Sequence, residues 1–104
     1  MGFFSALLGN KNKEQLSNAI KDGAFLVDVR TPSEFATGSV KGAVNIPLDK
    51  IAGQLSAFKN KKTIVVFCRS GSRSSMAKSI LEQNGLSQVI NGGAMEAVRA
   101  LTRA

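Results

Sequence analysis

The sequence predicts an α/β fold in which helices cover both faces of a mostly parallel sheet. Short apolar runs alternate with segments whose apolar residues recur at helical spacing, and glycine or proline separates most of them. Such alternation is typical of parallel sheets, because a helix returns the chain between parallel strands. A chain of 104 residues that is 43% apolar can build one core, so we expect a single domain over residues 1–104.

The start of the chain is predicted to be an arm or a short helix, residues 1–12, ahead of a core domain of residues 13–103. The opening residues are apolar, but they lack the basic start of a secretory signal and are too few to span a membrane. Residues 13–22 then place three apolar residues on one side. We expect a short amphipathic helix there, ended by Gly23.

The next predicted elements are a buried strand at residues 24–29 and a brief helix. Thr31 can act as the N-cap of this helix, Pro32 fits its first position, and Glu34 completes a capping box. We expect the helix to end near Gly38.

The rest of the chain continues the alternation. A short strand precedes a proline, a segment with helical spacing follows, and a β-branched and aromatic run forms the expected central strand. A helix, a short strand and a final helix after Gly92-Gly93 complete the pattern. The predicted strands are residues 42–47, 63–68 and 88–90, and the predicted helical segments are residues 48–58 and 74–84.

Cys68, the only cysteine, ends the predicted central strand at its turn into a helix. Backbone N–H groups and the positive end of the helix dipole converge at such a turn and favour an anion. Arg69 and Arg73 add two positive charges, so we expect a thiol pKa below its usual value of about 8.5. The alternative is a small buried hydrophobic residue. Arginines, glycine and serines are poor material for a core, which favours a functional cysteine.

Composition excludes several kinds of site. The chain has no histidine, so it cannot contain a Cys–His pair or a Ser–His–Asp triad, and it has no tyrosine for proton transfer. One cysteine cannot form an intrachain disulfide, a Cys-x-x-Cys redox pair or a thiolate-rich zinc site. We therefore expect no metal, no cofactor and a reducing, cytoplasmic location.

The net charge of +7 would steer small anions to the surface. Most lysines are scattered, and no aromatic residues are interleaved with them. We therefore expect no nucleic-acid partner and no membrane span.

Asp28 and Arg30 stand at the exit of the first predicted strand. Because parallel strands end at a shared edge of the sheet, both residues are expected near the cysteine turn. They could pair with each other or hydrogen-bond a loop, or Asp28 could transfer a proton. We favour the structural role.

The order and spacing of several motifs resemble those of a single-domain rhodanese. The resemblance rests on four segments: Asp28-Val29-Arg30 with Glu34-Phe35, the run from Gly38 to Pro47, the loop Cys68-Arg69-Ser70-Gly71-Ser72-Arg73-Ser74, and Gly92-Gly93. It implies a three-layer sandwich whose mostly parallel central sheet has about five short strands. It also implies a sulfurtransferase.

The resemblance implies a role for each residue of the site. Cys68 would be the catalytic residue and carry sulfur, while Asp28, Arg30 and Ser74 would support the site. The substrate would be cradled by Arg69, Ser70, Gly71, Ser72 and Arg73. Sulfur would move from a small anionic donor such as thiosulfate to cyanide, a thiol or a protein cysteine. The alternative is a non-catalytic or single-turnover persulfide carrier that acts on a protein partner.

The chain departs from the family pattern at two positions and differs from a related class in loop length. Ser39 stands where histidine is common, and no tryptophan follows Gly92-Gly93. Four residues separate Cys68 from Arg73, whereas cysteine phosphatases resembling this fold use five. The shorter loop suits the sulfur of a persulfide better than a tetrahedral phosphate.

Overall fold

The computed structural model describes residues 2–103, with side chains from residue 12 onward. The described residues form four helices and four strands, with two short 3₁₀ helices before the third strand. The elements are α1 (Gly2–Lys21), β1 (Phe25–Asp28), α2 (Pro32–Ala36), β2 (Val44–Asn45), the 3₁₀ helices Leu48–Gly53 and Leu55–Phe58, β3 (Ile64–Cys68), α3 (Ser72–Gln83), β4 (Val89–Ala94) and α4 (Met95–Thr102). None of the described helices is both long and apolar enough to cross a membrane.

The central sheet is parallel and has the strand order β2-β1-β3-β4. It has four strands in the described residues, rather than about five, because only four segments supply paired extended backbone. The α/β class and the parallel sheet are confirmed. Strand β3 lies at the centre and pairs with both β1 and β4, so its carboxyl end lies between two other strand ends.

Alternate residues of β3 build a core on each face of the sheet. Ile64, Val66 and Cys68 face one core, which includes Ile51 and Phe58 from the 3₁₀ helices and Ala77 and Leu81 from α3. The other core contains Val65 and Phe67, with Leu16 and Ala19 from α1 and Val98 from α4. Side chains alternate across a strand, and both faces of β3 are covered. This explains why all five of its residues are buried.

Several elements differ in extent from the sequence-based prediction. Strand β2 covers only Val44–Asn45 of the predicted strand at residues 42–47, and α2 ends at Ala36, two residues before Gly38. Helix α1 is continuous from Gly2 to Lys21, with no break near residue 12. The side chains of residues 1–11 of the predicted arm lie outside the described side chains. Residues 48–58 form two 3₁₀ helices because Gln54, with φ −130° and ψ 36°, interrupts the segment. Strand β4 extends to Ala94, beyond the predicted end at residue 90.

The predicted start of α2 is confirmed. The Glu34 N–H donates to Thr31 Oγ1 at 3.3 Å, and the Thr31 N–H donates to Glu34 Oε1 at 3.1 Å. Pro32 occupies the first helical position, where its missing N–H costs no helical hydrogen bond. This capping box fixes the position of Glu34 at the edge of the sheet that also carries Cys68.

Candidate active site

Cys68 is the last residue of β3, and α3 begins four residues later at Ser72. The tight turn depends on Gly71, which has φ +108°, a value that residues with a side chain rarely adopt. Gly71 also packs closely on the end of β4, since a Cβ atom there would lie 3.4 Å from Gly93 Cα. The strand-to-helix turn predicted around Cys68 is confirmed.

The Cys68 sulfur lies within a ring of hydrogen-bond donors. The Gly71 N–H donates to Sγ at 3.0 Å, and the Ser74 N–H donates at 3.4 Å. Ser74 Oγ lies 3.5 Å from the same sulfur. The loop and the first turn of α3 therefore form an anion-binding nest with the thiol at its centre.

Competing effects set the acidity of Cys68. Burial raises the pKa of the thiol, because a low-polarity environment disfavours the thiolate. The interaction with the Ser74 hydroxyl lowers it, and so do the hydrogen bonds that the N–H groups of Ser74, Gly71 and Ser70 donate to the sulfur. The lowering effects win, so the pKa of Cys68 lies below its ordinary value, as predicted. Its side chain is also only 1% exposed, and the nest holds the sulfur beneath the loop.

Ser74 is held in place by Asn91, a residue that the sequence analysis did not single out. Ser74 Oγ lies 2.7 Å from Asn91 Oδ1 and 3.0 Å from the Gly71 carbonyl oxygen, either of which can accept its hydrogen. Asn91 Oδ1 also accepts a hydrogen bond from the Gly93 N–H at 2.9 Å. A polar residue between the apolar pair Val89-Ile90 and Gly92-Gly93 was the signal that could have identified it.

Glu34 also contacts the site, although the sequence analysis assigned it only to a helix cap and to a family motif. Arg73 Nη1 donates to Glu34 Oε1 at 2.6 Å, and Nη2 donates to Oε2 at 3.0 Å. This pairing, followed by the Thr31 N–H, lowers the pKa of Glu34 to about 2. It also raises the pKa of Arg73. The guanidinium of Arg73 lies beside the nest, but a carboxylate already occupies two of its donors.

Asp28 and Arg30 form a buried ion pair at the neighbouring strand end. Arg30 Nη2 donates to Asp28 Oδ2 at 2.7 Å, and Nε donates to both carboxylate oxygens at 3.0 Å. Ser39, at the position where histidine is common, donates to Asp28 Oδ2 at 2.6 Å. Arg30 also donates to the Gly38 carbonyl oxygen at 2.7 Å. The pair thus fastens the loop after α2 to β1, which is the favoured structural role.

The remaining predicted site residues lie on the open side of the nest. Arg69, Ser70 and Ser72 are exposed, and Arg69 forms no ion pair with any residue that the structure describes. Within residues 2–103, no three or more Cys, Asp or Glu side chains gather in a group that could hold a metal ion.

Comparisons with known proteins agree with this geometry. Residues 12–100 match the family described as the Rhodanese-like domain. The chain is 37% identical over 82 residues to a sulfurtransferase of Allochromatium vinosum, an alignment that covers 77% of each chain. It is 35% identical over 72 residues to thiosulfate sulfurtransferase PspE of Escherichia coli K12, covering 67% of this chain and 69% of that one.

Solved structures show the same fold. A structure described as rhodanese with anions from E. coli superposes with a TM-score of 0.66 and 32% identity, covering 72% of this chain and 91% of that one. A rhodanese-like domain protein from Staphylococcus aureus gives a TM-score of 0.70 and 33% identity, covering 83% and 86% respectively. The parallel sheet, the cysteine nest and these matches lead to one conclusion: the chain belongs to the rhodanese-like domain family.

Proposed function

We propose that the protein is a sulfurtransferase that moves a sulfane sulfur from an anionic donor such as thiosulfate to a thiophilic acceptor. The observation that carries this proposal is the ring of N–H donors around Cys68 Sγ, at 3.0 Å from Gly71 and 3.4 Å from Ser74. Such a nest stabilises both the thiolate and a persulfide anion. The names of the two sulfurtransferase relatives support the same reaction.

The first half-reaction forms a persulfide on Cys68. The thiolate attacks the outer sulfur of thiosulfate, the new Sγ–S bond forms, and the S–S bond of thiosulfate breaks. Its electron pair leaves with sulfite. The outer sulfur of the persulfide then carries the negative charge, which the loop N–H groups stabilise in a preorganised site.

The second half-reaction needs an external acceptor. Cyanide or a thiolate attacks the outer sulfur, and the Cys68 thiolate leaves. Because Cys68 is the only cysteine, no residue of this chain can resolve the persulfide. A reducing compartment such as the cytoplasm would supply thiol acceptors and keep Cys68 reduced.

Each part of the loop would have a different role in the reaction. Arg69, exposed at the rim, would attract the donor, while Ser70, Gly71 and Ser72 would cradle the transferred sulfur. Arg73 would add charge beside the nest while bound to Glu34. Since Cys68 is 1% exposed, the loop has to shift to admit the donor.

Intact-mass measurement of the protein after thiosulfate treatment tests this proposal. We expect the parent to gain one sulfur atom that dithiothreitol removes, and Cys68→Ser to gain none. An equal gain in both proteins would overturn the assignment of Cys68. Counting thiocyanate formed per protein with excess thiosulfate and cyanide separates an enzyme, which turns over many times, from a carrier, which transfers sulfur once.

A further inference from the structure

A cavity of about 400 Å³ lies between the loop after α2 and the C-terminal end of α4. Its volume is within the range of small-molecule sites. Three of its five lining residues carry a positive charge, and no carboxylate is among the described residues of the wall. None of the five belongs to the cysteine loop, so the cavity is separate from the nest. They are Ser39, Lys41, Arg99, Thr102 and Arg103.

The loop that forms one side of this cavity is fixed to the rest of the fold. Ser39 Oγ donates to Asp28 Oδ2 at 2.6 Å, and the Ser39 carbonyl oxygen accepts a hydrogen bond from Arg99 Nη2 at 3.3 Å. Val40, the next residue, is 4% exposed and belongs to the core under α4. The backbone that carries Lys41 is therefore held beside α4.

Arg99 keeps a large share of its positive charge uncompensated. Its ion pair with Glu96 joins Nη1 to Oε2 at 3.3 Å, and the Glu96 side chain is 71% exposed. The closest N–O distance is 2.7 Å in the ion pair of Arg30 and 2.6 Å in that of Arg73. Because its pair is longer and the carboxylate lies in solvent, the charge of Arg99 is less neutralised than that of the other two arginines.

The dipole of α4 attracts cations to its C-terminus, which is an alternative explanation for Arg99 and Arg103. The Arg99 carbonyl oxygen, however, already accepts hydrogen bonds from Thr102 Oγ1 at 2.8 Å and from the Arg103 N–H at 3.3 Å. Lys41 comes from another segment of the chain, so the dipole does not explain why it lies beside the two arginines. Three like charges on one wall repel one another unless an anion compensates them.

We propose that this cavity binds a small soluble molecule that carries a phosphate or diphosphate group. Arginine matches phosphate oxygens with two parallel N–H donors, and lysine adds a point charge. Arg99 supplies the fixed donors, and the exposed Lys41 and Arg103 add charge at the rim. The hydroxyl hydrogens of Ser39 and Thr102 are already donated within the fold, so the three cations carry the binding. The proposal does not depend on sulfur transfer.

Titration with inorganic pyrophosphate, followed by NMR of the labelled protein, tests this site. We expect saturable amide shifts at Ser39, Lys41, Thr102 and Arg103. Inorganic phosphate should bind more weakly because it carries fewer charges, and both affinities should fall as the ionic strength rises. Absence of saturable shifts, or shifts confined to residues 69–74 around the nest, would overturn the proposal.

Variants of the cavity separate a defined site from general attraction to a basic protein. We expect Arg99→Gln to weaken pyrophosphate binding by about tenfold, as for the loss of a charged hydrogen bond. Arg103→Gln, an exposed position that leaves the core intact, should weaken it by about two- to fivefold. Lys50→Gln removes the same charge at an exposed position outside the wall and should bind like the parent. Equal weakening in Lys50→Gln and Arg103→Gln would overturn the proposal.

A lipid headgroup presents the same phosphate chemistry, and vesicles distinguish the two sources. Among the described residues, the exposed large hydrophobic residues are Val44 and Met76, and neither lines the cavity, which favours a soluble ligand. We expect Arg103→Gln to leave any co-sedimentation with phosphatidic acid vesicles unchanged. Loss of co-sedimentation in this variant would overturn the soluble ligand in favour of a lipid.

Sulfur loading keeps this inference apart from the proposed function. None of the three cations has a role in the proposed transfer, so Arg99→Gln and Arg103→Gln should gain sulfur from thiosulfate as the parent does. Pyrophosphate binding in a parent that gains no sulfur would overturn the proposed function and support this site. Sulfur gain in a parent that does not bind pyrophosphate would overturn this site alone.

Discussion

Arg73 and Glu34 form a two-point ion pair that joins the first turn of α3 to α2, with N–O distances of 2.6 and 3.0 Å. Both side chains are about one-third exposed, at 31% and 30%. Glu34 is fixed from its other side by the Thr31 cap. The carboxylate therefore partly neutralises a cation that the sequence assigned to donor binding, and the exposed Arg69 remains for the first attraction of an anion.

Replacing Glu34 should uncover the charge of Arg73. We expect Glu34→Gln to lower the KM for thiosulfate by about two- to fivefold, because the guanidinium no longer has an anionic partner. Glutamine can keep the capping box, so α2 should persist. Steady-state kinetics at constant ionic strength measure the effect. Glu82→Gln, an equal charge change at an exposed position late in α3, is the control. A higher KM in Glu34→Gln would show that the ion pair positions Arg73 for donor binding.

Ser74 should control the acidity of Cys68. Its hydroxyl is the largest of the effects that lower the pKa of the thiol. We expect Ser74→Ala to raise this pKa, so the rate of alkylation by iodoacetamide should reach half its maximum at a higher pH than in the parent. At neutral pH the variant should therefore react more slowly. The exposed Ser75 gives a control, Ser75→Ala, whose profile should match that of the parent. An unchanged midpoint in Ser74→Ala would assign the low pKa to the backbone donors alone.

Asp28 should matter for stability more than for chemistry. Asp28 is fully buried and Arg30 is 6% exposed, so Asp28→Asn leaves a buried guanidinium without its anionic partner. We expect the free energy of unfolding to fall by about 3–5 kcal/mol. Urea unfolding measures the loss, with the exposed Asp22→Asn as the control, which should change little. A loss below about 1 kcal/mol would contradict this prediction. It would mean that the attraction between Asp28 and Arg30 only balances the free-energy cost of removing both charges from water.

A side chain at Gly92 should destabilise the protein. A Cβ atom there would lie 2.9 Å from Val98 Cγ2 and 3.0 Å from Val65 Cγ1, and both valines are fully buried. We expect Gly92→Ala to reduce the free energy of unfolding by about 1–3 kcal/mol through overpacking between β4 and α4. Gly53→Ala is the matched control, because nothing lies within 4 Å of the Cβ position at Gly53. Equal urea midpoints for the two variants would contradict this prediction.

Local sequence signals were sufficient for much of the site. The Thr31 cap, the strand 64–68 and the turn at Cys68 depend on residues within one or two turns of chain, so periodicity and capping chemistry reveal them. The sequence predicted the bounds and type of an element less well where tertiary packing outweighs the local pattern of residues. Residues 48–58 show helical spacing but fold as two 3₁₀ helices that bury Ile51 and Phe58.

The sequence by itself determined the α/β class, the place of Cys68 at a strand-to-helix turn and the lowered pKa expected there, because each follows from neighbouring residues. Only the tertiary structure decided that Arg73 is bound by Glu34, 39 residues earlier, and that Asn91 holds Ser74 across 17 residues. It also decided that α1 and α4 enclose a cavity beside the loop. These relationships depend on the strand order β2-β1-β3-β4, which brings distant segments to one edge of the sheet. No local pattern of residues specifies which segments will meet there.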